Sequence, residues 1–315
     1  MHYEVTGSSL SKQTVCFIHG LCCDLTDWEH QRTHFQDRYR VIGCDLKGHG
    51  YSAAPVEPVS IENWAADIAE LLDSLNVQNG VLVGHSMGCR VALAAALRRP
   101  ERVDAVALVD GSRFAGVNGP SAYNDALASV EAAGGWPVLV HHLFNQMFTE
   151  KAPASLRQRV IDRALAIPEA VGRAGFASMV AWDVQQLDST LRSFVRPLMV
   201  IQSTYVNEER NRVSIGKDES TPWLDHVRQR YSSAVIEIVP DSGHFLQIES
   251  ADVVDAHLQC LLDQVAYTQH FLDDRTMPSQ STHALAFSNS LSQGLSSPHS
   301  RGCHEQVSVR NILSG

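Results

Sequence analysis

The sequence predicts an α/β fold with a mostly parallel central sheet and flanking helices. Three observations predict it. Short runs of Val, Ile and Leu recur without polar alternation, the pattern of strands covered on both faces. Stretches with apolar residues at helical spacing fall between those runs, and alternating strands and helices build parallel sheets. The early runs also end in loops that carry glycine, histidine or aspartate. With 315 residues, 44% of them apolar, the chain can bury a sizeable core.

The elements follow in order. Val15-Cys16-Phe17-Ile18 is a first strand, ending at His19-Gly20. Tyr39 to Asp45 is a second, ending in Leu46-Lys47-Gly48-His49-Gly50. Ser60 caps a helix that places Trp64, Ile68, Leu71, Leu72 and Leu75 on one stripe. Val81-Leu82-Val83 ends at Gly84, and a mostly buried helix runs from Gly88 to Arg98, stopped by Pro100. Val106 to Val109 ends at Asp110. Residues 111–190 lose this rhythm and read as helices with scattered aromatics, an inserted cap on a core of residues 1–110 and 191–268. Leu198 to Ile201 and Val235 to Val239 resume the strands, and a last helix from Ser250 or Asp252 runs through Leu262. Between these two strands lies a long polar segment, Ser203 to Thr221, of the size that is usually functional or mobile. The tail from Thr276 to Gly315 has ten serines and one acidic residue and reads as disordered.

Composition excludes several functions. Lys and Arg total 25 against 35 Asp and Glu, a formal charge of −10, which disfavours a nucleic-acid partner. The most apolar stretch, Val91 to Leu97, is flanked by Arg90, Arg98 and Arg99, and falls far short of the ~20 residues that span a bilayer. The N-terminus carries no secretory pattern. Seven cysteines without a C-x-x-C pair read as free thiols in a reducing, cytoplasmic setting. No phosphate loop, nucleotide fingerprint or zinc ligand cluster stands out, so no cofactor and no metal is expected.

The chemistry concentrates at Gly84-His85-Ser86-Met87-Gly88. This is G-x-S-x-G between a strand and a helix, where a serine on a sharp turn stands above the sheet edge. With His19-Gly20, the loop Asp45 to Gly50 and Asp241-Ser242-Gly243-His244-Phe245 in the same order, the chain from Val15 to about Leu262 resembles the α/β-hydrolase superfamily. That resemblance implies the α/β-hydrolase fold with a helical cap insertion, Ser86 as nucleophile and His244 as base. It also implies an oxyanion hole from the backbone N–H groups of Leu21 and Met87. Cys22, Cys23 and Trp28 would lie near the site entrance. His19, His49 and His85 would support the surrounding loops.

The acid is less direct. The family usually carries it after the strand ending near Ile201, but Ser203 stands for the expected glycine and Val206 for the expected acid. Three candidates remain. Glu208 needs a small shift and Asp218 a long insertion. Asp110, 24 residues past Ser86, ends the next strand, where some branches of the family keep their acid. Asp110 is preferred because it needs no insertion. Its task would be to fix the His244 tautomer.

The expected reaction is hydrolysis of an ester, thioester or lactone by acyl transfer through Ser86. Aromatic residues of the cap (Trp136, Phe144, Phe148, Phe176 and Trp182) either face an apolar organic substrate of moderate size or pack a core. A cofactor-free lyase or dioxygenase, with His244 deprotonating the substrate, is the rival on this scaffold. A non-catalytic ligand-binding homologue is the second rival.

Overall fold

The computed structural model describes residues 1–114, 119–207 and 211–276. They divide into a unit spanning Met1–Val265 and a second from Ala266 onward. The expected disordered tail lies outside the described residues.

The first half reads β1 (His2–Thr6), β2 (Thr14–Ile18), α1 (Glu29–Phe35), β3 (Arg40–Asp45), α2 (Ile61–Ser74), β4 (Gly80–His85), α3 (Met87–Arg98) and β5 (Val103–Val109). Five helices follow before the next strand: α4 (Ala122–Ala132), α5 (Trp136–Asn145), α6 (Ala154–Ala166), α7 (Glu169–Gln185) and α8 (Leu187–Ser193). The chain then returns with β6 (Leu198–Gln202), a hairpin of β7 (Thr204–Val206) and β8 (Arg212–Ser214), α9 (Pro222–Arg230), β9 (Val235–Ile238), α10 (Leu246–Glu249) and α11 (Ala251–Thr276). The central sheet has the order β1-β3-β2-β4-β5-β6-β9. Only β1 is antiparallel to its neighbour.

The strands lack polar alternation because both faces are covered. Val15 and Phe17 of β2 join a cluster with Trp28, Phe35, Val254 and Leu258, on the side of α1 and α11. Cys16 and Ile18, between them, join the opposite cluster with α2, α3 and the inserted helices. The same two-residue period runs through β4, β5 and β6. Ser60 caps α2 as expected, its hydroxyl accepting from the Asn63 N–H at 3.1 Å. Among the described residues no helix is long and apolar enough to cross a membrane.

The inserted helices are tied to the core through charge as well as packing. Arg90 of α3 forms a buried two-pronged pair with Asp183 of α7 at 2.7 and 2.6 Å. Its other donors reach the carbonyls of Ser86 and Ser112. Arg163 of α6 clamps Asp24 and Asp27 in the loop after β2. Trp136, Phe144, Phe148, Phe176 and Trp182 all lie in the buried cluster shared by core and insertion, so packing is what the structure assigns to them.

Candidate functional site

The ends of the parallel strands converge at one edge of the sheet, where open α/β sheets place their ligands. Ser86 follows β4 and caps α3. From Gly80 to Leu93 it is the one residue that is not buried. Its backbone lies at φ 53, ψ −112, a strained conformation for a side-chain-bearing residue. The flanking glycines explain how the turn closes. A Cβ on Gly84 would stand 2.2 Å from the Gly88 carbonyl oxygen, and one on Gly88 would stand 2.4 Å from that of Ile18. Met87 is the first residue of α3, so its N–H has no acceptor within the helix.

The loop after β2 lies directly against this turn. A Cβ on Gly20 would meet the Ser86 Cβ at 3.3 Å, which brings Leu21 beside the serine. Two neutral imidazoles hold the surrounding loops. His19 donates from Nδ1 to the Gly20 carbonyl and accepts the Leu46 N–H on Nε2 at 3.0 Å. His49 accepts the Cys22 N–H at 3.2 Å. Burial lowers His19 to about 4 and, with the charge of His19, His49 to about 3, so both keep the lone pairs these bonds need. Cys22 and Cys23 are buried, and burial raises Cys22 to about 12 and Cys23 well above its ordinary value. They are poor nucleophiles. Trp28 is fully buried against Phe17 and His85, which corrects its expected place at an entrance.

Asp110 follows β5, the strand between β4 and β6, and pairs with His244. Asp110 Oδ2 lies 2.5 Å from His244 Nδ1. The carboxylate is saturated with donors. Oδ1 accepts the N–H groups of Ser203 and Thr204, each at 2.8 Å, and the Gln202 side-chain amide at 3.0 Å. Oδ2 also accepts the Thr204 hydroxyl at 2.5 Å and has the Arg212 guanidinium at 3.5 Å. Burial pushes the Asp110 carboxyl up, but the His244 hydrogen bond, the nearby positive charge and the Thr204 hydroxyl outweigh it and hold Asp110 below its usual range. Burial, joined by the Arg212 charge, lowers His244 to about 4 against the opposing pull of Asp110. The pair at neutral pH is therefore an ionised carboxylate and a neutral imidazole. An ionised carboxylate only accepts, so His244 donates from Nδ1 and its Nε2 carries the free lone pair.

The histidine loop is fastened on two sides. His85, next to Ser86, donates from Nε2 to the His244 carbonyl at 2.8 Å, and the rings lie 4.6 Å apart. The His244 N–H donates to the Met147 carbonyl at 2.7 Å, and Phe148 stacks on Phe245. Of five side-chain-bearing residues with positive φ among the described residues, four (Cys22, Ser86, Asp110 and Asp241) lie in these loops. Strain is gathered where the geometry is exacting.

The three acid candidates thus separate. Asp110 meets His244. Asp218 is exposed in a turn between β8 and α9, and the segment leading to it is taken up by the β7–β8 hairpin. Glu208 lies outside the described residues. Sequence reasoning missed the cradle of Gln202, Ser203, Thr204 and Arg212. Its signal was the departure already noted: the segment after β6 lacks the usual acid because it supplies donors to an acid on β5. One further expectation needs correction. Cys16, Cys22, Cys23, Cys44 and Cys89 are free, but Cys260 is disulfide-bonded. Sequence reasoning also did not see that α1 and α11 bring His30, Asp252 and Asp255 together, more than 200 residues apart in sequence.

Known proteins share this architecture. The family model described as alpha/beta hydrolase fold matches residues 13–251. The dihydrolipoyllysine-residue acetyltransferase component of the acetoin cleaving system from Cupriavidus necator is 27% identical over 78% of this chain and 63% of its own length, so the chain spans less than two thirds of that relative. The 3-oxoadipate enol-lactonase 2 of Acinetobacter baylyi is 34% identical over 34% of this chain and 39% of its own. A solved thermophilic esterase from Thermogutta terrifontis superposes with a TM-score of 0.68 at 23% identity, covering 84% of this chain and 93% of that one. That likeness speaks to fold.

Proposed function

This chain belongs to the alpha/beta-hydrolase fold family, and from its site we infer a serine hydrolase that cleaves an ester, thioester or lactone bond in a small to medium apolar organic molecule. The observation that carries this reading is the 2.5 Å pairing of buried Asp110 with His244, in a loop fastened through His85 to the strained Ser86 turn. In the proposed mechanism Ser86 Oγ attacks the carbonyl carbon while His244 Nε2 takes its proton. The oxyanion accepts the N–H groups of Leu21 and Met87. His244 then returns the proton to the leaving group, leaving an acyl ester on Ser86. Water, deprotonated by His244, releases the acid and restores the serine. Asp110 stabilises the transient imidazolium and holds the tautomer.

An apolar substrate is supported by the partly buried side chains of Leu21, Phe114 and Met147, on segments that flank Ser86, Asp110 and His244. The proposed division, core 1–110 and 191–268 with a cap at 111–190, fits the insertion of α4 to α8 between β5 and β6. Among the described residues, five buried free thiols favour a cytoplasmic setting, with the bonded Cys260 as the one feature against it.

Intact-mass analysis after exposure to a fluorophosphonate probe tests the mechanism. The wild type should gain one adduct, lost in Ser86→Ala and His244→Ala and strongly slowed in Asp110→Asn. A folded wild type that stays unlabelled and turns over no ester, thioester or lactone in a panel would overturn the reading. Full-rate labelling of a folded Asp110→Asn variant would remove Asp110 from it.

A further inference from the structure

On the face of the sheet opposite the inserted helices, α1 and α11 meet across a second group of histidines and carboxylates. His30 and His34 are one turn apart on α1, and Asp252 and Asp255 three residues apart on α11. Each spacing puts its pair on one side of its helix. His30 Nδ1 lies 3.1 Å and His34 Nδ1 3.3 Å from Asp255 Oδ2, while His30 Nε2 lies 3.6 Å from Asp252 Oδ1. His30, Asp252 and Asp255 can offer ligand atoms all within 4.8 Å of one another.

Asp255 is the telling member. It is 2% exposed, and neither carboxylate oxygen receives a hydrogen bond. The imidazole nitrogens reach it without the alignment of one. A buried carboxylate without well-formed hydrogen bonds is a costly arrangement unless a cation completes it. The imidazole side chains are half exposed, which leaves a path for an ion from solvent.

We propose that His30, His34, Asp252 and Asp255 form a divalent-cation site that clips α1 to α11. Zinc is the best-fitting cation. Two imidazole nitrogens and two carboxylate oxygens are a ligand set it accepts in tetrahedral geometry. With bonds of about 2.0–2.1 Å, the ligand atoms of such a site stand roughly 3.3 Å apart, close to the separations already present. His30 now sits between both aspartates and would turn to give one nitrogen to the metal. The ion would hold the end of the Glu29–Phe35 helix against the last helix, a structural role separate from the chemistry at Ser86.

The test uses the full chain after exhaustive chelation. Zinc chloride titrated against a chromophoric chelator should give one equivalent bound per chain, with a rise in melting temperature that EDTA reverses. His30→Ala and His34→Ala, at half-exposed positions, should each weaken binding at least tenfold, as should the exposed Asp252→Asn. Asp255→Asn should do the same, and the other three variants keep the test decisive if it fails to fold. Cobalt in place of zinc should show ligand-field bands without thiolate charge transfer. Absence of stoichiometric binding, binding unaltered in the two histidine variants, or a cobalt–thiolate spectrum would each overturn the proposal.

Discussion

Asp110 and Asp255 are both buried carboxylates beside histidine, yet their surroundings are opposite. Asp110 receives two main-chain N–H groups, an amide, two hydroxyls and an imidazole N–H. Asp255 has Gln31 beside it but receives no well-formed hydrogen bond on either oxygen. Hydrogen bonds to the charged form keep the first ionised without help, whereas burial raises the second. A donor-saturated carboxylate is a finished device that can orient a base. A donor-poor one is an open valence.

The contrast breaks most sharply at Asp110. Asp110→Asn replaces an acceptor with a group that also donates, and lets His244 adopt the other tautomer. The expected loss is about ten-thousand-fold in kcat, measured with an activated ester on protein whose far-UV spectrum is unchanged.

Acid should produce the next largest effect. Burial lowers His19, His226 and His244 to about 4 and His49 to about 3, and lowers His85 well below its ordinary value. Unfolded, these imidazoles bind protons near 6.5. Between pH 6.5 and about 4 the unfolded chain therefore carries more protons, and stability falls as pH falls, on the order of 1.4 kcal/mol per pH unit per group at most. Burial raises the carboxyls of Asp27 and Glu249, which work in the opposite sense toward the acid end. Urea titrations from pH 7 to 4 should show a steep drop. If His244 is the base, kcat/KM should hold well below pH 6.5, and Arg212→Met should move its acid limb upward, because the Arg212 charge helps to lower His244.

Single donors should matter less. Thr204→Val removes one hydroxyl from Asp110 while the main-chain donors stay, so a loss of ~1.5–3 kcal/mol is expected in chemical denaturation. The smallest effect is the most diagnostic. In metal-free protein Asp255→Leu should gain on the order of 1 kcal/mol, because an apolar side chain needs no partner there. The same variant should lose the zinc-induced rise in melting temperature.

Much of this could be read in the chain. The strands of the parallel sheet carry a local signal, since burial on both faces removes their polar residues. The Ser86 turn and His244 are likewise local, each announced by glycines that close approach demands. What escaped depends on partners distant in sequence. The edge strand His2–Thr6 is half exposed with a mixed pattern, and helix Glu29–Phe35 is short and polar, with two buried residues. Arg212 sits in a polar run with no periodicity, and only the fold brings it to Asp110. Arg90 and Asp183 look like surface charges until the insertion folds over α3. His30 and Asp255 are linked by no motif at all.

Two of the donors to Asp110 are main-chain N–H groups of Ser203 and Thr204, and that has an evolutionary consequence. Every residue except proline carries such a donor, so these two bonds survive any other substitution at 203 or 204, even though the Ser203 and Thr204 hydroxyls add bonds of their own to Asp110. Lineages with this arrangement can vary the exposed turns between β6 and α9 while the main-chain bonds persist, provided Arg212 keeps its place beside Asp110. The exposed turn around Asp218 is where variation among near relatives should accumulate fastest.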